Sequence, residues 1–415
     1  MPVDDNCMIS GSGGAMTTKF ERKRQAILDA ATEIINRHGV KGLTFVAVAE
    51  RIGLRASSVA YYFRRKEALA SACFERTLQR IEAIVAVAEG FPTPRQRVAA
   101  YIDAYIRIYA AMRAGEAPAL AILSDMRALD AAAREPVMAH YARLFARIRG
   151  FWGAIGSERE RLAHGARALM LAEAVYWFPV TLEGYFVEDF PRVGRCLKDL
   201  FGGGLAANGA AWRPVRLVIE REAAGAGRDF LRASTRLINE RGYRGASVER
   251  IAAELHVTKG SFYHHLEAKD ALILQCFRLS YAAMRRAQMQ AEVSGGSALD
   301  RVAAAVESLL GVQMSGDWPL MRTTALQTLP EDLRDEVLRL SERATRHFTG
   351  LLSDGIAEGS VRPVDPVIAG QVVMSSINAA VELRLADRSR EGVEGAVALY
   401  AALLAHGLFE GFPED

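Results

Sequence analysis

The chain is poor in cysteine. Its four, Cys7, Cys73, Cys196 and Cys276, lie far apart, and no two have a spacing that grips zinc. That argues against a disulfide scaffold and a cysteine-based metal module, and leaves small core hydrophobes with one cysteine in the N-terminal tail. There is no run of 18 or more uncharged apolar residues, so no membrane span is expected, and a reducing cytoplasm suits the free thiols. The opening, "MPVDDNCMISGSGGAMTTKF", has acids near its start and no long apolar region, so it does not read as a secretory signal. Residues 1–18 read instead as a disordered tail, with Met16 as a candidate start. Also missing are a glycine-rich phosphate loop, a nucleophile elbow and a convincing pair of catalytic acids, which argues against an enzyme. Runs of β-branched residues are few while Ala, Leu and Arg abound, so the expected fold is all-α.

Net charge is small, 52 Lys and Arg against 49 Asp and Glu, but it is unevenly spread. Eleven basic and four acidic residues fall between Lys19 and Lys66, and eight and five between Arg228 and Lys269. Two basic segments on an otherwise acidic chain point to a polyanion as partner.

Those two segments are copies. An offset of 203 aligns Asn36 with Asn239, Gly39 with Gly242, Gly42 with Gly245, Ala49 with Ala252, Ser58 with Ser261, Lys66 with Lys269 and Leu69 with Leu272, without a gap. In the first copy Ile27, Ala30, Ala31, Ile34 and Ile35 form one apolar helical stripe. Gly39 suits a left-handed helix end, Thr44 caps a short second helix, Gly53 breaks it, and a third helix follows over about 56–63. In the second copy Phe230, Ala233, Leu237 and Ile238 make the stripe. Ser247 caps the next helix, Ile251, Ala252 and Leu255 face inward, and Thr258 caps the third. Helix, short helix, tight turn, short helix is a helix-turn-helix pattern.

The chain accordingly divides into a tail (1–18), a first head (19–75), a first helical body (76–205), a linker (206–227), a second head (228–276) and a second body (277–415). The linker is glycine-rich and holds Pro214, so it reads as a connector with little rigid structure, although "RLVIEREA" is a candidate helix. Body helices are expected near 76–90, 94–114, 118–128, 135–153, 158–183 and 189–201. In the second body they fall near 271–290, 298–315, 319–328, 331–357, 365–386 and 393–410. Breaks are expected at prolines such as Pro118, Pro136 and Pro319, and a kink at Pro179.

The stretch "GASVERIAAELHVTKGSFYHHLEAKDAL", from Gly245 to Leu272, closely resembles the DNA-binding signature of the tetracycline-repressor (TetR) family. That signature runs Thr or Ser cap, Ile-Ala, Val-Ser/Thr-Lys-Gly, Tyr-His-His-Phe, then Lys and Leu; here Leu266 stands where Phe is usual. The first copy, "GLTFVAVAERIGLRASSVAYYFRRKEAL", keeps Thr44, Ala49, Gly53, Phe63, Lys66 and Leu69. It departs at Arg55, Ala56 and Ser57, and has Ala60 in place of the family tyrosine, with Tyr61 and Tyr62 following. The resemblance implies two family units in one chain. Each would have a three-helix DNA-binding head and a helical body that binds ligand and dimerises through its last two helices. An intrachain pseudo-dimer follows, with further self-association left open.

Under that resemblance, Thr44 and Ser247 sit where capped helix starts meet phosphate, and Lys66 and Lys269 match the family's backbone-binding lysine. Tyr263 matches its phosphate-contacting tyrosine, with Tyr61 as substitute in the first head. Base reading falls to Arg55, Ala56, Ser57 and Ser58, and to Thr258, Lys259, Gly260 and Ser261. Tyr62, His264 and His265 either join the DNA contact or pack against the body. His264 and His265 lack acidic or cysteine partners at ligand spacing, so no metal or cofactor is expected. The partner is a double-stranded DNA operator. Because the two reading sets differ, so should the half-sites. A degenerate first head that merely pairs with the second is the rival reading.

Aromatic and Met residues cluster in both bodies, most of them as core. Candidates for lining a cavity for a small hydrophobic ligand are Tyr105, Met126, Tyr141, Trp152, Tyr176 and Trp177 in the first body. In the second they are Met314, Trp318, Phe348, Met374 and Asn378. "AVYWFPVT" (174–181) is the leading stretch, with His140 and Glu173, or Gln313 and Asn378, as polar selectors.

Overall fold

The computed structural model describes residues 12–219, 227–254, 256, 269–315, 318–322, 329, 331–386 and 392–409. Among these the regular elements are helices, and the one β-type pairing is an isolated antiparallel bridge between Ala206 and Val361. The chain falls into two compact units, Met1–Gln79 with Pro118–His140, and Arg80–Ala117 with Tyr141–Asp415.

The first unit holds α1 (Ser12–Gly42), α2 (Phe45–Arg51), α3 (Ala56–Tyr62) and the start of α4 (Lys66–Glu89). The stripe Ile27, Ala30, Ala31, Ile34 and Ile35 is buried, and Val48, Val59 and Leu69 are fully covered. Gly39 interrupts α1 at φ 66°, as its left-handed role requires. The Val40 N–H, freed from the helical ladder there, donates to the buried carboxylate of Asp125. α1 begins at Ser12, inside the stretch expected to be a tail.

The expected helix at 118–128 is not formed as such. Residues 118–122 lie outside any helix, and only Leu123–Ala128 winds into a 3-10 turn. Side chains satisfy that backbone in place of a helical ladder. Asn36 Nδ2 donates to the Leu120 carbonyl (2.9 Å), Asn36 Oδ1 accepts from Ile122 N–H (3.0 Å), and Thr77 Oγ1 accepts from Ala121 N–H (2.9 Å). Pro136 does not break its helix either: α6 runs Ala131–Arg149 with the proline inside, exposed and near the helix start, where losing one ladder bond costs least.

The second unit contains α5 (Pro94–Arg113), α7 (Glu158–Tyr176), α8 (Phe178–Thr181), α9 (Phe190–Gly203) and the described second half. The latter is α10 (Gly227–Gly245), α11 (Val248–Glu254), α12 (Lys269–Val293), α13 (Ala298–Ser315), α14 (Glu331–Glu358), α15 (Pro366–Ala386) and α16 (Gly392–His406). α7 opens with a capping box between Ser157 and Glu160. It stops at Tyr176, three residues before Pro179, which enters the first turn of α8, so the expected kink is an interruption at Trp177 between two helices. The expected helix at 319–328 is absent over Pro319–Arg322; residues 323–328 lie outside the described residues.

α15 is buried on nearly every side, as an apolar stretch without a polar face must be. It packs on α13 and α14 of its own body, and equally on α7 of the first body; α9 packs on both α15 and α16. Ala163, Ala166, Ala168 and Ala174 keep α7 slim enough for close approach. Where α9 and α16 end, the two bodies exchange backbone hydrogen bonds. Leu205 N–H donates to the Leu404 and Ala405 carbonyls (both 3.0 Å), and Leu408 N–H donates to the Phe201 carbonyl (2.8 Å). Arg362 seals this crossing, Nε donating to the Gly204 carbonyl (2.7 Å) and its fork reaching Asp199 (2.8 Å).

The connector is more fixed than its composition implies. Over 211–219 it forms no helix, so "RLVIEREA" is not helical where described. Ala206 N–H donates to the Ala405 carbonyl (2.9 Å), Trp212 Nε1 to Glu307 (2.8 Å) and Leu217 N–H to Ser308 Oγ (3.0 Å).

Candidate DNA-reading heads

In the first head Thr44 has the extended backbone of a cap (φ −134°), and its Oγ1 accepts from Ala47 N–H at 3.1 Å. The following turn closes at Gly53 (φ 65°), with Leu54 N–H returning to the Ala49 carbonyl (2.8 Å). α3 is seated by fully buried Val59, which leaves the opposite face open. Arg55 and Ser57 are exposed, Ala56 and Ser58 half-buried. Arg55 occupies the cap position of α3 without making a side-chain cap bond. Tyr61 is 76% exposed, Tyr62 half-buried, and exposed Lys66 opens α4. The structure thus brings all eight first-head candidates onto α2, α3 and the start of α4.

In the second head Ser247 Oγ accepts from Arg250 N–H at 3.3 Å, the expected cap. Phe230, Ala233, Leu237, Ile238, Ile251 and Ala252 are buried as their spacing requires. Lys269 opens α12. Leu255, Thr258, Lys259, Gly260, Ser261, Tyr263, His264 and His265 lie outside the described residues.

Several residues that carry the heads were not singled out by sequence reasoning. Asn36 has its counterpart in Asn239, whose Nδ2 donates to the Leu320 carbonyl (2.8 Å) and whose Oδ1 accepts from Arg322 N–H (2.8 Å). Thr77 has its counterpart in Ser280, whose Oγ accepts from Met321 N–H (2.8 Å). The repeat aligns Asn36 with Asn239, but nothing local tells what they bond, and Thr77 and Ser280 lie beyond the aligned stretch. Glu33–Arg51 ties α1 to α2, and at the same offset Arg236–Glu254 ties α10 to α11 with the charges exchanged. Val46, beside the Thr44 cap, is 55% exposed.

Cys73 and Cys276 behave as core, whereas Cys196 is only half-buried and Cys7 lies outside the described residues. Cys73 Sγ donates to the Leu28 carbonyl and Cys276 Sγ to the Leu231 carbonyl, again at offset 203. Burial pushes the Cys73 thiol up to about 11 and the Cys276 thiol up to about 12, so neither is a thiolate at neutral pH. Iodoacetamide at pH 8 is expected to spare both in the native protein and to label them after denaturation, read by peptide mass spectrometry; labelling of either in the native state would contradict this burial.

The cavity candidates separate. Tyr101, Tyr105 and Tyr109 line one face of α5, with ring centroids 4.9 and 6.5 Å apart, and Phe178 stands 5.9 Å from Tyr109. Burial raises all three phenols, so they are neutral hydrogen-bonding groups. Half-buried Tyr141, Tyr176 and Trp177 belong to the same unit, with Tyr176 and Trp177 in edge contact at 5.8 Å. Trp152 is engaged at the crossing, its Nε1 donating to the Leu408 carbonyl (2.9 Å). Met126 and His140 belong to the other unit, where His140 pairs with Glu75 (2.7 Å). In the second body Met314, Trp318, Phe348, Met374 and Asn378 are buried. Gln313 and Asn378 do meet: Gln313 Nε2 donates to the Asn378 carbonyl (3.5 Å), and its Oε1 accepts from Leu320 N–H (2.7 Å). Among the described residues the Oδ1 of Asn378 has no hydrogen-bond partner, no three His, Cys, Asp or Glu side chains could hold a metal ion, and no helix is long and apolar enough to cross a membrane.

A capped α2, a tight glycine turn and an α3 seated by one buried valine define a helix-turn-helix DNA-binding head. The pattern described as "Bacterial regulatory proteins, tetR family" matches twice, over residues 27–73 and 230–276. "Tetracyclin repressor-like, C-terminal domain" matches over 295–382. Both heads are thus DNA-binding domains of the tetracycline-repressor family of transcriptional regulators, in tandem, and the second body carries a C-terminal domain of the same kind. Similar proteins include the HTH-type transcriptional repressor DhaR of Mycobacterium sp. (strain GP1), 28% identical over 39% of this chain and 82% of that protein. The HTH-type transcriptional regulator BetI of Rhizobium meliloti (strain 1021) is 27% identical over 40% and 87%. Each match takes in most of the relative and about two-fifths of this chain, as when one of two tandem units is matched. Among solved structures, the ketosteroid transcriptional regulator KstR2 of Mycobacterium tuberculosis is 17% identical over 45% of this chain and 97% of that one, with a TM-score of 0.40.

Proposed function

We propose that one chain does the work of a repressor dimer, holding two non-identical heads on a single operator and releasing it when a small hydrophobic ligand enters a body. The observation that carries this reading is the packing of α7 and α9 on α15 and α16, closed by backbone hydrogen bonds between the two bodies. Helices that two identical subunits would each contribute are here both supplied by one polypeptide. Repression is the reading favoured by the likeness to DhaR, which is described as a repressor. Heads so paired would read half-sites about 34–36 Å apart, one helical turn, and those half-sites need not match. The tyrosine face of α5 offers neutral phenols beside apolar rings, a surface suited to a mainly hydrophobic molecule with a polar group. A ligand effect of about 1–3 kcal/mol on head placement would change DNA affinity roughly 5- to 150-fold.

The test neutralises one head at a time. Lys66→Gln and Lys269→Gln are each expected to weaken binding to the duplex that the full chain selects from a random pool. Each should also flatten the dependence of log K on log salt by about 0.9, the loss of one phosphate contact. Silence at Lys66 alone would replace this reading with the one in which only the second head binds.

A further inference from the structure

We infer that the first head grips the DNA backbone at an additional point that the second head lacks: a basic arm in the N-terminal part of α1, carrying Lys19 and Lys23 and pinned by Phe20. This rests on the reading of the heads as paired DNA binders and adds an asymmetry to it.

Phe20 is 43% exposed, yet its ring lies 4.6 Å from Tyr62 and 6.4 Å from Tyr61, and those two tyrosines stand edge-on at 5.4 Å. Two of these rings, Phe20 and Tyr61, are open to water and Tyr62 is half-buried, so the cluster is not part of the core. Their contact holds the N-terminal part of α1 around Phe20 beside the end of α3, four residues ahead of the α4 start at Lys66. Arg24 is held locally, paired with Glu21 (3.4 Å) and lying 5.8 Å over the Phe63 ring. Lys19 and Lys23 are exposed and four residues apart, hence on one face of α1. Two cations on one helix face, anchored by an aromatic contact next to Tyr61 and Lys66, suit a run of phosphodiesters.

The repeat offset shows that this device is not shared. Where the first half has Lys19, Phe20 and Lys23, the second has Glu222, Ala223 and Ala226; where the first has Tyr61 and Tyr62, the second has His264 and His265. Conversely, Lys259 in the second reading helix corresponds to Ala56 in the first. Arg55 in turn corresponds to Thr258, so each turn carries one cation, shifted by one position, and the two lysines of the arm are the first head's own addition.

The probe is the duplex that the full chain selects from a random-sequence pool. Lys19→Gln with Lys23→Gln should flatten the salt dependence of log K by roughly 1.8, two phosphate contacts at about 0.9 each. Hydroxyl-radical footprints should show protection extending further beyond the half-site of the first head, and this extension should disappear in the double variant. Phe20→Ala, with both lysines kept, should lose the same extension. An unchanged slope and footprint in a double variant that melts like the parent would overturn the arm while leaving the paired-head reading intact. If the parent chain selects no duplex at all, both readings fall together.

Discussion

Gly204→Ala should destabilise the second unit by about 3 kcal/mol or more, the sum of left-handed backbone strain and overpacking. Gly204 has φ +66°, and a Cβ built there would lie 2.2 Å from the Ala405 carbonyl oxygen and 2.5 Å from the His406 nitrogen. Both neighbours are backbone, so no side chain can swing away; the crossing itself must open. Gly407 mirrors it at φ +86°, with its Cβ position 2.6 Å from the Phe201 carbonyl oxygen. Gly209→Ala is the matched control: φ is +82°, but nothing lies within 4 Å, so only the strain of about 1 kcal/mol applies. Denaturant unfolding of the three variants separates the two effects. Equal losses at Gly204 and Gly209 would mean that the crossing is not tightly packed. Under the proposed pairing of heads, Gly204→Ala should also weaken operator binding far more than Gly209→Ala.

Much of the heads could be read from the letters, because their signals are local. A cap such as Thr44, a positive-φ glycine such as Gly39 or Gly53, and a stripe such as Ile27 to Ile35 each depend on neighbours within a few residues. The repeat made the second head legible by comparison, although its reading helix lies outside the described residues. The stretch after α5 and the described part of that after α13 were misread as helices because their backbones bond mostly to side chains more than 40 positions away, which no window detects. The connector misled for the same reason. Its composition suggested slackness, whereas Trp212 Nε1 and Leu217 N–H tie it to Glu307 and Ser308, more than 90 positions away. The cavity candidates were chosen by size and aromaticity, and that criterion does not separate Trp152, whose indole spans the crossing, from Tyr105, which lies on the face of α5.

Asn239→Ala should cost about 2–4 kcal/mol and loosen the second head from its body before anything else unfolds. The side chain is buried and joins α10 to the stretch after α13, so its removal leaves the Leu320 carbonyl and the Arg322 N–H without their partner. Each buried polar group so stranded costs about 1–3 kcal/mol. Asn36→Ala should act in the same direction but less, because Asn36 is only half-buried and water can replace part of what is lost. Asn239→Asp is the diagnostic variant. It keeps an acceptor for Arg322 N–H, loses the donor to the Leu320 carbonyl and buries a charge, so it should be no better than alanine. Hydrogen exchange at the amides of Ile122 and Arg322 reads each clamp directly, and faster exchange should appear only in the half that was mutated. If the body signals to the head by moving this junction, the clamp variants should also lose the ligand's effect on DNA affinity while retaining ligand binding. A full ligand response in Asn239→Ala, with the Arg322 amide freed, would show that the signal takes another route, such as the continuous helix α12 that leads from the second head into its body.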